Sequence, residues 1–313
     1  MENNSVLIKL PYFKKIRQEL RKSFYLQLYG PKRQSKRTFK KTFGYALDLK
    51  NPKTFSEKIC ALKLDYANDE NAILAGDKIG VHQYIASKNL KSLAVPLIAA
   101  VDSFKEVDWE ALPQQFVIKK SNASALNLIV KDKAKIAKEE VQQLLNDWQY
   151  EEYGLSTAEP HYSKMIGKFI IEEYVPELEH DWKIFFFNGV PKVVELYAWE
   201  DETDVLIGHR KTVYITTDMQ GKVLYVDQDP GLPASEEEKY KQLESVELPK
   251  EFAEMVAYGT KLAEGFPFVR VDFFIGNKQL YLSELSFTPG AGLHPYQPEF
   301  DLWLGELLEM PKR

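Results

Sequence analysis

The sequence predicts an α+β fold, with strands joined as hairpins and helices placed between them. Pairs of apolar segments flank short turns at Asn188-Gly189 and at Gly276-Asn277, which is the pattern of antiparallel strands. Residues 134–150 and 250–264 instead place apolar side chains at helical spacing. Hairpins combined with separate amphipathic helices are typical of the α+β class.

Short strands and helices alternate through the rest of the chain. Helices are predicted near 51–64 and 77–85, with Thr54 or Ser56 as the cap of the first. Residues 230–250 are rich in Pro and Glu and predict a surface crossing. Strands are predicted at 95–101, 116–120, 128–130, 169–175, 182–187, 191–197, 213–216, 222–225, 270–274 and 281–286.

Length and composition are those of a globular protein. The 313 residues are 44% hydrophobic and 28% charged, which suffices for a core and two or three subdomains. The sequence has no apolar run of bilayer length and no secretory signal pattern at its start. With Cys60 as the only cysteine, no internal disulfide forms. The expected location is the cytoplasm, with a peripheral position at the inner face of the membrane left open.

Charge is divided unevenly along the chain. Residues 1–50, which we call the arm, carry 13 Lys and Arg against 3 Asp and Glu, whereas residues 51–313 carry 28 against 43. Tyr12, Phe13, Ile16, Leu20 and Phe24 recur at helical spacing among the basic residues of the arm. Such a helix either packs on the body with a solvated basic face or binds an anionic membrane surface through residues 1–40. No nucleic-acid partner is expected.

The strongest chemical signal is the hairpin that carries Arg270, Asp272 and Glu284. Two carboxylates on paired strands repel each other unless a cation lies between them. Oxygen ligands of this kind suit Mg²⁺, which binds one or two carboxylates together with nucleotide phosphates. Arg270 has the same strand parity as Asp272 and is expected on the same side. The hairpin predicts a phosphoryl-transfer site, with a structural ion-pair set as the alternative.

Two earlier segments complete the pattern. A strand ends in Lys119-Lys120 and runs into a loop of small residues, so one of the two lysines is expected to face a ligand. A later strand carries Glu172-Glu173 and stops at Pro176. The alternatives are lysines solvated at a strand end and an exposed glutamate pair.

These motifs resemble the ATP-grasp superfamily and, more narrowly, the TupA-like ATP-grasp family of teichuronopeptide and surface-polysaccharide biosynthesis. The resemblance covers roughly residues 45–308. It implies an ATP-grasp fold in which two α+β subdomains sandwich the nucleotide, preceded by the basic helical arm. The implied divisions are 1–50 for the arm, 51–110 for an N-terminal α/β subdomain, 111–175 for the small lid subdomain and 176–313 for the C-terminal subdomain with the metal site. The segments that carry the resemblance are 51–59, 77–78, 116–119, 187–192, 265–272 and 287–290.

The resemblance also implies the cofactors and the roles of single residues. ATP and Mg²⁺ or Mn²⁺ are the expected cofactors. Arg270 would neutralise the transferred phosphoryl group, and Lys183 would contact phosphate or substrate. Asp272 and Glu284, with Ser286 in addition, would hold the metal. The implied nucleotide contacts are Lys119 and Lys78 at the phosphates, backbone groups of Glu172, Glu173, Tyr174 and Val175 at the adenine, and Glu179 or Asp181 at the ribose.

The implied activity is ATP-dependent ligation of a carboxylate to an amine through an acylphosphate. The expected partners are a small-molecule or glycan carboxylate and an amino-acid amine. The expected product is an amino acid attached to a uronic acid or sugar of a capsule polymer. Two alternatives remain open. One is a glycosyltransferase-like enzyme of the same pathway, for which Asp227-Gln228-Asp229 is the only candidate metal motif. The other is a non-catalytic nucleotide-binding protein.

The sequence departs from that of relatives at two places. The loop at 121–127 contains no glycine, although the phosphate-covering loop of relatives is glycine-rich, and alanine resists positive φ. Ser286 stands where the broader superfamily has Asn. The first departure holds the backbone further from phosphate, and two consequences stay open: the loop covers ATP differently, or nucleotide binding is weakened.

Overall fold

The computed structural model describes residues 12–155, 157–176, 181–198, 204–208, 211–229 and 231–312. The helices within them are α1 (Tyr12–Phe43), α2 (Phe55–Asp65), α3 (Glu70–Gly76), α4 (Gly80–Ser87), α5 (Lys138–Gln149), α6 (Ala234–Lys241), α7 (Phe252–Leu262) and α8 (Pro298–Glu306). The strands are β1 (Leu97–Val101), β2 (Phe116–Lys120), β3 (Asn127–Val130), β4 (Phe169–Glu173), β5 (Asp181–Phe187), β6 (Val190–Ala198), β7 (Val205–Ile207), β8 (Val213–Thr217), β9 (Val223–Gln228), β10 (Phe268–Gly276) and β11 (Gln279–Ser286).

Two antiparallel sheets organise these strands, and the predicted α+β class is confirmed. Sheet A has the strand order β1-β4-β2-β3-β7. Its core lies between the strands and α5, where Phe116, Val141 and Leu145 are fully buried. β2 and β3 form the predicted hairpin around the loop of small residues. β4 ends at Glu173, two residues earlier than predicted, because Val175 turns away to pack with Phe274 and Tyr281.

Sheet B has the strand order β11-β10-β5-β6-β8-β9 and is antiparallel throughout. The β5–β6 turn is the predicted one, with positive φ at Asn188 and Gly189. The β10–β11 turn lies one residue later than predicted, because Asn277 and Lys278 adopt positive φ while Gly276 pairs with Gln279 in the ladder.

Gly276 is required for space rather than for the turn. A Cβ atom at this position would lie 2.3 Å from Cγ1 of Val175. The backbone N–H of Asn277 donates to the carbonyl of Pro176 at 3.2 Å. The connection between the two sheets therefore lies directly against the β10–β11 turn.

The main core joins sheet B to α2 and α7. Phe55, Phe187 and Phe268 pack ring against ring with centroids 5.0–5.9 Å apart. Burial of each such side chain contributes about 1.5–3 kcal/mol. α2 begins where predicted, because the Thr54 hydroxyl accepts from Glu57 N at 3.2 Å and the Glu57 carboxylate accepts from Thr54 N at 3.2 Å.

The N-terminal region is helical, as predicted. α1 is kinked at Gly30, whose φ of 67° and ψ of 166° are not helical, and Pro31 follows. Residues 230–250, predicted as a surface crossing, contain α6, which buries no side chain. Glu236 and Glu237 lie in its first turn, where the helix dipole favours negative charge.

Candidate active site

A cavity of about 490 Å³ lies between the two sheets. Sheet A contributes Lys119 and the loop that follows it. Sheet B contributes polar, charged and aromatic side chains from five neighbouring strands. These strand residues are Asp181, Lys183, Glu195, Tyr197, Tyr214, Arg270, Asp272, Ser283, Glu284 and Ser286.

Two lysines line the cavity beside the loop that follows β2. The Lys119 ammonium lies 2.7 Å from the Glu172 carboxylate. Burial alone would lower the pKa of Lys119, but the Glu172 charge outweighs it and the net pKa is raised. Lys78 donates from Nζ to the carbonyl of Ala123 at 2.6 Å, and burial lowers its pKa. Both predicted phosphate-contact lysines therefore lie at one end of the cavity.

Lys120 points to the other side of sheet A. Its Nζ donates to the carbonyl of Trp148 at 2.6 Å and to that of Glu151, beside the end of α5. Only 4% of the residue is exposed. Strand alternation therefore separates the two adjacent lysines, and Lys119 is the one that lines the cavity.

Arg270 lies between the two carboxylates of the β10–β11 hairpin. Its Nε and Nη2 donate to Oδ1 and Oδ2 of Asp272 at 2.7 and 2.6 Å, and Nη2 also reaches Oε1 of Glu284 at 3.2 Å. Asp272 is completely buried. Ser286 Oγ donates to the same Glu284 oxygen at 2.9 Å. The guanidinium thus supplies the positive charge that the facing carboxylates need.

The charge of Glu284 is strongly stabilised. Burial by itself raises the pKa of this carboxyl, but Lys78 and Arg270 together lower it to about 2. Glu284 is therefore a carboxylate throughout the neutral range. Two cations from distant parts of the sequence, Lys78 before α4 and Arg270 on β10, act on this one side chain.

Lys183 extends the charged row onto β5. Its Nζ lies 3.1 Å from Asp272 Oδ2 and 3.4 Å from Asp181 Oδ2, and 4.3 Å from the centre of the Tyr197 ring. Burial alone would lower the pKa of Lys183, but Asp272 and Asp181 outweigh it and raise that pKa. Lys183 is therefore charged and faces the cavity, in line with its predicted place.

The predicted metal ligands offer only oxygen atoms. Asp272, Glu284 and Ser286 lie together, and this donor set fits Mg²⁺ or Mn²⁺. In the described part of the chain, no group of three or more His, Cys, Asp and Glu side chains is arranged to hold a metal ion. A metal here would complete its shell with phosphate oxygens and water. Since Arg270 bonds both oxygens of Asp272, binding would also require the guanidinium to release one of them.

The predicted adenine segment begins in β4 of sheet A and does not line this cavity. Glu172 pairs with Lys119, and the backbone N–H of Glu173 donates to the Pro96 carbonyl at 3.0 Å. Tyr174 is half-buried, and Val175 is buried. Glu179 lies outside the described residues.

The glycine-free loop adopts a conformation that alanine rarely takes. Ala125 has a φ of 58° and lines the cavity with Ser124 and Leu126. The loop is held by backbone bonds from Lys120 N to Leu126 O and from Lys78 N to Ser121 O, at 2.9 and 3.1 Å. It therefore reaches positive φ without glycine, and tertiary hydrogen bonds hold it there.

Several cavity residues were not predicted. Glu195 lies on the cavity face of β6 opposite Lys183, and burial raises its pKa. Glu159 is buried between two hydroxyls, from Thr157 at 2.6 Å and Thr288 at 2.5 Å, and burial raises its pKa. The alternation of side chains along β6 could have predicted that Glu195 faces the same side as its strand neighbours in the cavity. Glu159 lies in an irregular segment, where no sequence pattern predicts the direction of its side chain.

His294 also lines the cavity. Its Nε2 lies 2.9 Å from Asp227 Oδ2, and its ring packs edge-on against Tyr214. Asp227 of the Asp227-Gln228-Asp229 motif lies in β9. Asp229 accepts from the Tyr214 hydroxyl at 2.6 Å. The two aspartates of this motif therefore have different partners.

Comparison with known families identifies one match. Residues 57–309 match a family described as TupA-like ATPgrasp. Comparison with curated proteins yields no significant match.

Solved structures of ligases and a synthetase are distantly similar. The L-amino acid ligase from Bacillus licheniformis is 11% identical, with 71% of this chain and 43% of that chain covered and a TM-score of 0.43. The D-alanine–D-alanine ligase from Bacillus anthracis is 14% identical, with 69% and 58% covered and a TM-score of 0.38. The N5-carboxyaminoimidazole synthetase from Staphylococcus aureus complexed with ADP is 14% identical, with 68% and 44% covered and a TM-score of 0.40. The chain spans about half the length of these structures.

Proposed function

Since the chain belongs to the TupA-like ATP-grasp family, we propose that it is an ATP-dependent ligase that joins a carboxylate to an amine. The observation that carries the proposal is the meeting of cations and carboxylates in one cavity. Lys119 of sheet A, Lys78 from the segment before α4, and Arg270 and Lys183 of sheet B line this cavity with Glu284 and its neighbour Asp272. Phosphoryl transfer needs this kind of charge neutralisation and positioning more than it needs a protein nucleophile.

The first step transfers the γ-phosphoryl group of ATP to the substrate carboxylate. The carboxylate oxygen attacks the γ-phosphorus, the bond to the bridging oxygen breaks, and ADP leaves. Lys119 and Lys78 hold the phosphates, while Arg270 and Lys183 neutralise the group in transfer. Asp272 and Glu284, with Ser286, hold Mg²⁺ or Mn²⁺, which supplies further neutralisation of phosphate charge when bound. The proposal includes the nucleotide contacts that the family resemblance implies. Backbone groups of residues 172–175 bind the adenine, and Glu179 or Asp181 binds the ribose.

The second step forms the amide. The amine attacks the acyl carbon of the acylphosphate, phosphate leaves, and the nitrogen gives up a proton. A closed cavity is useful here, because water competes with the amine for the acylphosphate. Tyr153 and Tyr162, whose ring centroids lie 4.8 Å apart, provide apolar surface in the wall of the cavity.

The substrate pair is an amino acid and a uronic acid or sugar of a surface polymer. This part of the proposal rests on the resemblance to the TupA-like family and not on a contact in the cavity. Glu159 and Glu195 provide buried acidic groups at the cavity wall, as an amine or a sugar hydroxyl would need. We place the enzyme in the cytoplasm, where ATP is available.

Product analysis tests the proposal. Purified protein is incubated with ATP, Mg²⁺, glucuronic or galacturonic acid, and each of a panel of amino acids, while ADP, phosphate and amide are measured. A parallel reaction contains hydroxylamine, which traps an acylphosphate as a hydroxamate. We expect ADP and hydroxamate to form only with the correct carboxylate, and amide only when the amine is added.

Other outcomes identify the alternatives. Tight ATP binding without ADP formation under every condition would indicate a non-catalytic nucleotide-binding protein. Release of a nucleoside diphosphate from a nucleotide sugar would indicate a glycosyltransferase. Glu284→Gln serves as the inactive variant, and Glu299→Gln, at an exposed glutamate of α8, is the matched control.

A further inference from the structure

The two halves of α1 have different surroundings. Beyond the kink at Gly30, Phe39 is completely buried and its ring lies 4.5 Å from Phe43 and 5.1 Å from Tyr45. Phe39 also belongs to a small core with Leu47, Leu49, Cys60 and Ala61. The second half of the helix is therefore fastened to the body.

The first half leaves large apolar side chains in solvent. Leu20, Phe24 and Leu28 are 66%, 63% and 53% exposed. They are spaced four residues apart and so lie on one side of the helix. Placing three large apolar groups in water is unfavourable, and a partner with an apolar layer removes that cost.

The sequence of the same helix is strongly basic. Residues 12–43 contain eleven Lys and Arg and one acidic residue, Glu19. The exposed basic side chains of the fastened half are Lys32, Arg33, Lys36, Arg37, Lys40 and Lys41. The helix that exposes the three apolar side chains therefore also carries a high positive charge, on a protein whose remaining residues are net acidic.

We propose that α1 docks the protein on an anionic lipid surface, independently of the proposed ligase activity. Leu20, Phe24 and Leu28 enter the interface between headgroups and acyl chains, and the basic residues contact the headgroups. A polyanion such as nucleic acid would use the charge but leave the apolar side in water. Two arms would repel each other through their charge. Within the described residues, no helix is long and apolar enough to cross a membrane, so α1 would lie on the surface.

Vesicle sedimentation tests this docking. Full-length protein is mixed with vesicles of phosphatidylcholine alone or of phosphatidylcholine with phosphatidylglycerol, at low and at high salt. We expect sedimentation with the anionic vesicles at low salt and release at high salt, because salt screens the headgroup charge. Failure to bind anionic vesicles at low salt would overturn the proposal.

Two sets of substitutions separate the contributions. Lys32→Glu, Lys36→Glu and Lys40→Glu together should weaken binding more than about a hundredfold, because each basic residue near such a surface contributes about fivefold. Leu20→Ser, Phe24→Ser and Leu28→Ser together should also weaken vesicle binding, while attraction to duplex DNA at low salt stays unchanged. Equal vesicle binding by the serine variant would overturn the proposed apolar insertion.

Matched controls guard against indirect effects. Lys105→Glu, Lys192→Glu and Lys250→Glu remove the same charge at exposed sites on the body and should retain vesicle binding. Circular dichroism and melting temperature should agree among all variants. If the control set loses binding equally, net charge and not α1 is responsible, and the proposal is wrong. Self-association of the protein that vesicles do not compete with would point to a second copy as the partner and would also overturn it.

Discussion

Asp272 and Glu284 are direct cross-strand partners because β11 contains a bulge. From the turn outward, pairing is regular up to Phe273 with Leu282, and the next pair joins Asp272 to Glu284, so that Ser283 is skipped. Without this extra residue Asp272 would face Ser283, and Glu284 would point to the opposite side of the sheet. One bulge therefore brings both carboxylates to the cavity.

The first prediction concerns these two carboxylates. Glu284→Gln should lower ATP turnover at least about a hundredfold, because the metal and phosphate charges lose a ligand whose effect amounts to several kcal/mol. Asp272→Asn should lower turnover to a similar extent. Steady-state ADP formation measures both effects. Turnover like that of the unmodified protein in both variants would exclude these residues as metal ligands.

The two variants should differ in stability. Asp272 is completely buried against Arg270 and Lys183. Asp272→Asn removes the negative charge that pairs with these two buried cations, and it should therefore lower the stability of the fold. Glu284 has a side chain that is 33% exposed, so Glu284→Gln should lower the melting temperature less than Asp272→Asn does. Thermal melting of both variants beside Glu299→Gln checks this difference.

The second prediction compares two adjacent lysines. Lys119→Met should weaken binding of a non-hydrolysable ATP analogue about tenfold or more, since a hydrogen bond to a charged group contributes about 1.5–3 kcal/mol. Lys120→Met should leave that affinity unchanged. It should instead lower the free energy of unfolding by about 1–3 kcal/mol, because buried carbonyls beside α5 lose their donor.

Calorimetric titration and chemical denaturation of the two methionine variants measure these effects. Methionine preserves most of the side-chain volume at both positions, so each variant is the control for the other. A larger loss of nucleotide affinity at Lys120 would show that the phosphates lie on the other face of sheet A.

The third prediction tests the contact between the sheet connection and the β10–β11 turn. Gly276→Ala should lower the free energy of unfolding by about 1–3 kcal/mol, because the added Cβ has no room beside Val175. In the double variant with Val175→Ala, part of this loss should be recovered. A double-mutant cycle measured by denaturation gives the coupling, and purely additive effects would show that the two residues do not compete for space.

The fourth prediction concerns acid stability. The folded protein lowers the pKa of Glu284 to about 2, below the ordinary value of 4.5. A lowered carboxyl pKa stabilises the protein above the unfolded pKa, and this contribution disappears as the pH falls through the folded pKa. Stability should therefore decrease between about pH 4.5 and about pH 2.

Glu284→Gln should remove part of this dependence. Denaturation midpoints at several acidic pH values, with Glu299→Gln measured in parallel, check the expectation. An unchanged slope for Glu284→Gln would mean that Lys78 and Arg270 do not hold this carboxylate in its charged form.

Much of the fold could be predicted because its signals are local. Asn188 and Gly189 favour a tight turn by their own conformational preferences. Thr54 and Glu57 cap a helix through neighbouring backbone groups. Lys119 and Lys120 point to opposite sides because successive strand residues always do. The uneven charge of the arm required only a count of residues.

The cavity depends on relationships between distant segments, which local patterns do not report. The bulge at Ser283 sets which strand residues face inward, and a second irregularity in the β5–β6 pairing places Glu195 opposite Lys183. Such one-residue shifts reverse the side of every residue beyond them, and packing against the other strands selects them.

The residues themselves thus determined the candidate chemistry, since Arg270, Asp272 and Glu284 are charged groups whose types suit phosphate and metal. Their arrangement came from packing. The guanidinium of Arg270 lies between the two carboxylates, and Lys78 reaches the same cavity from a segment about two hundred residues away. Electrostatic free energy depends on distance and burial, and both exist only after the sheets have come together.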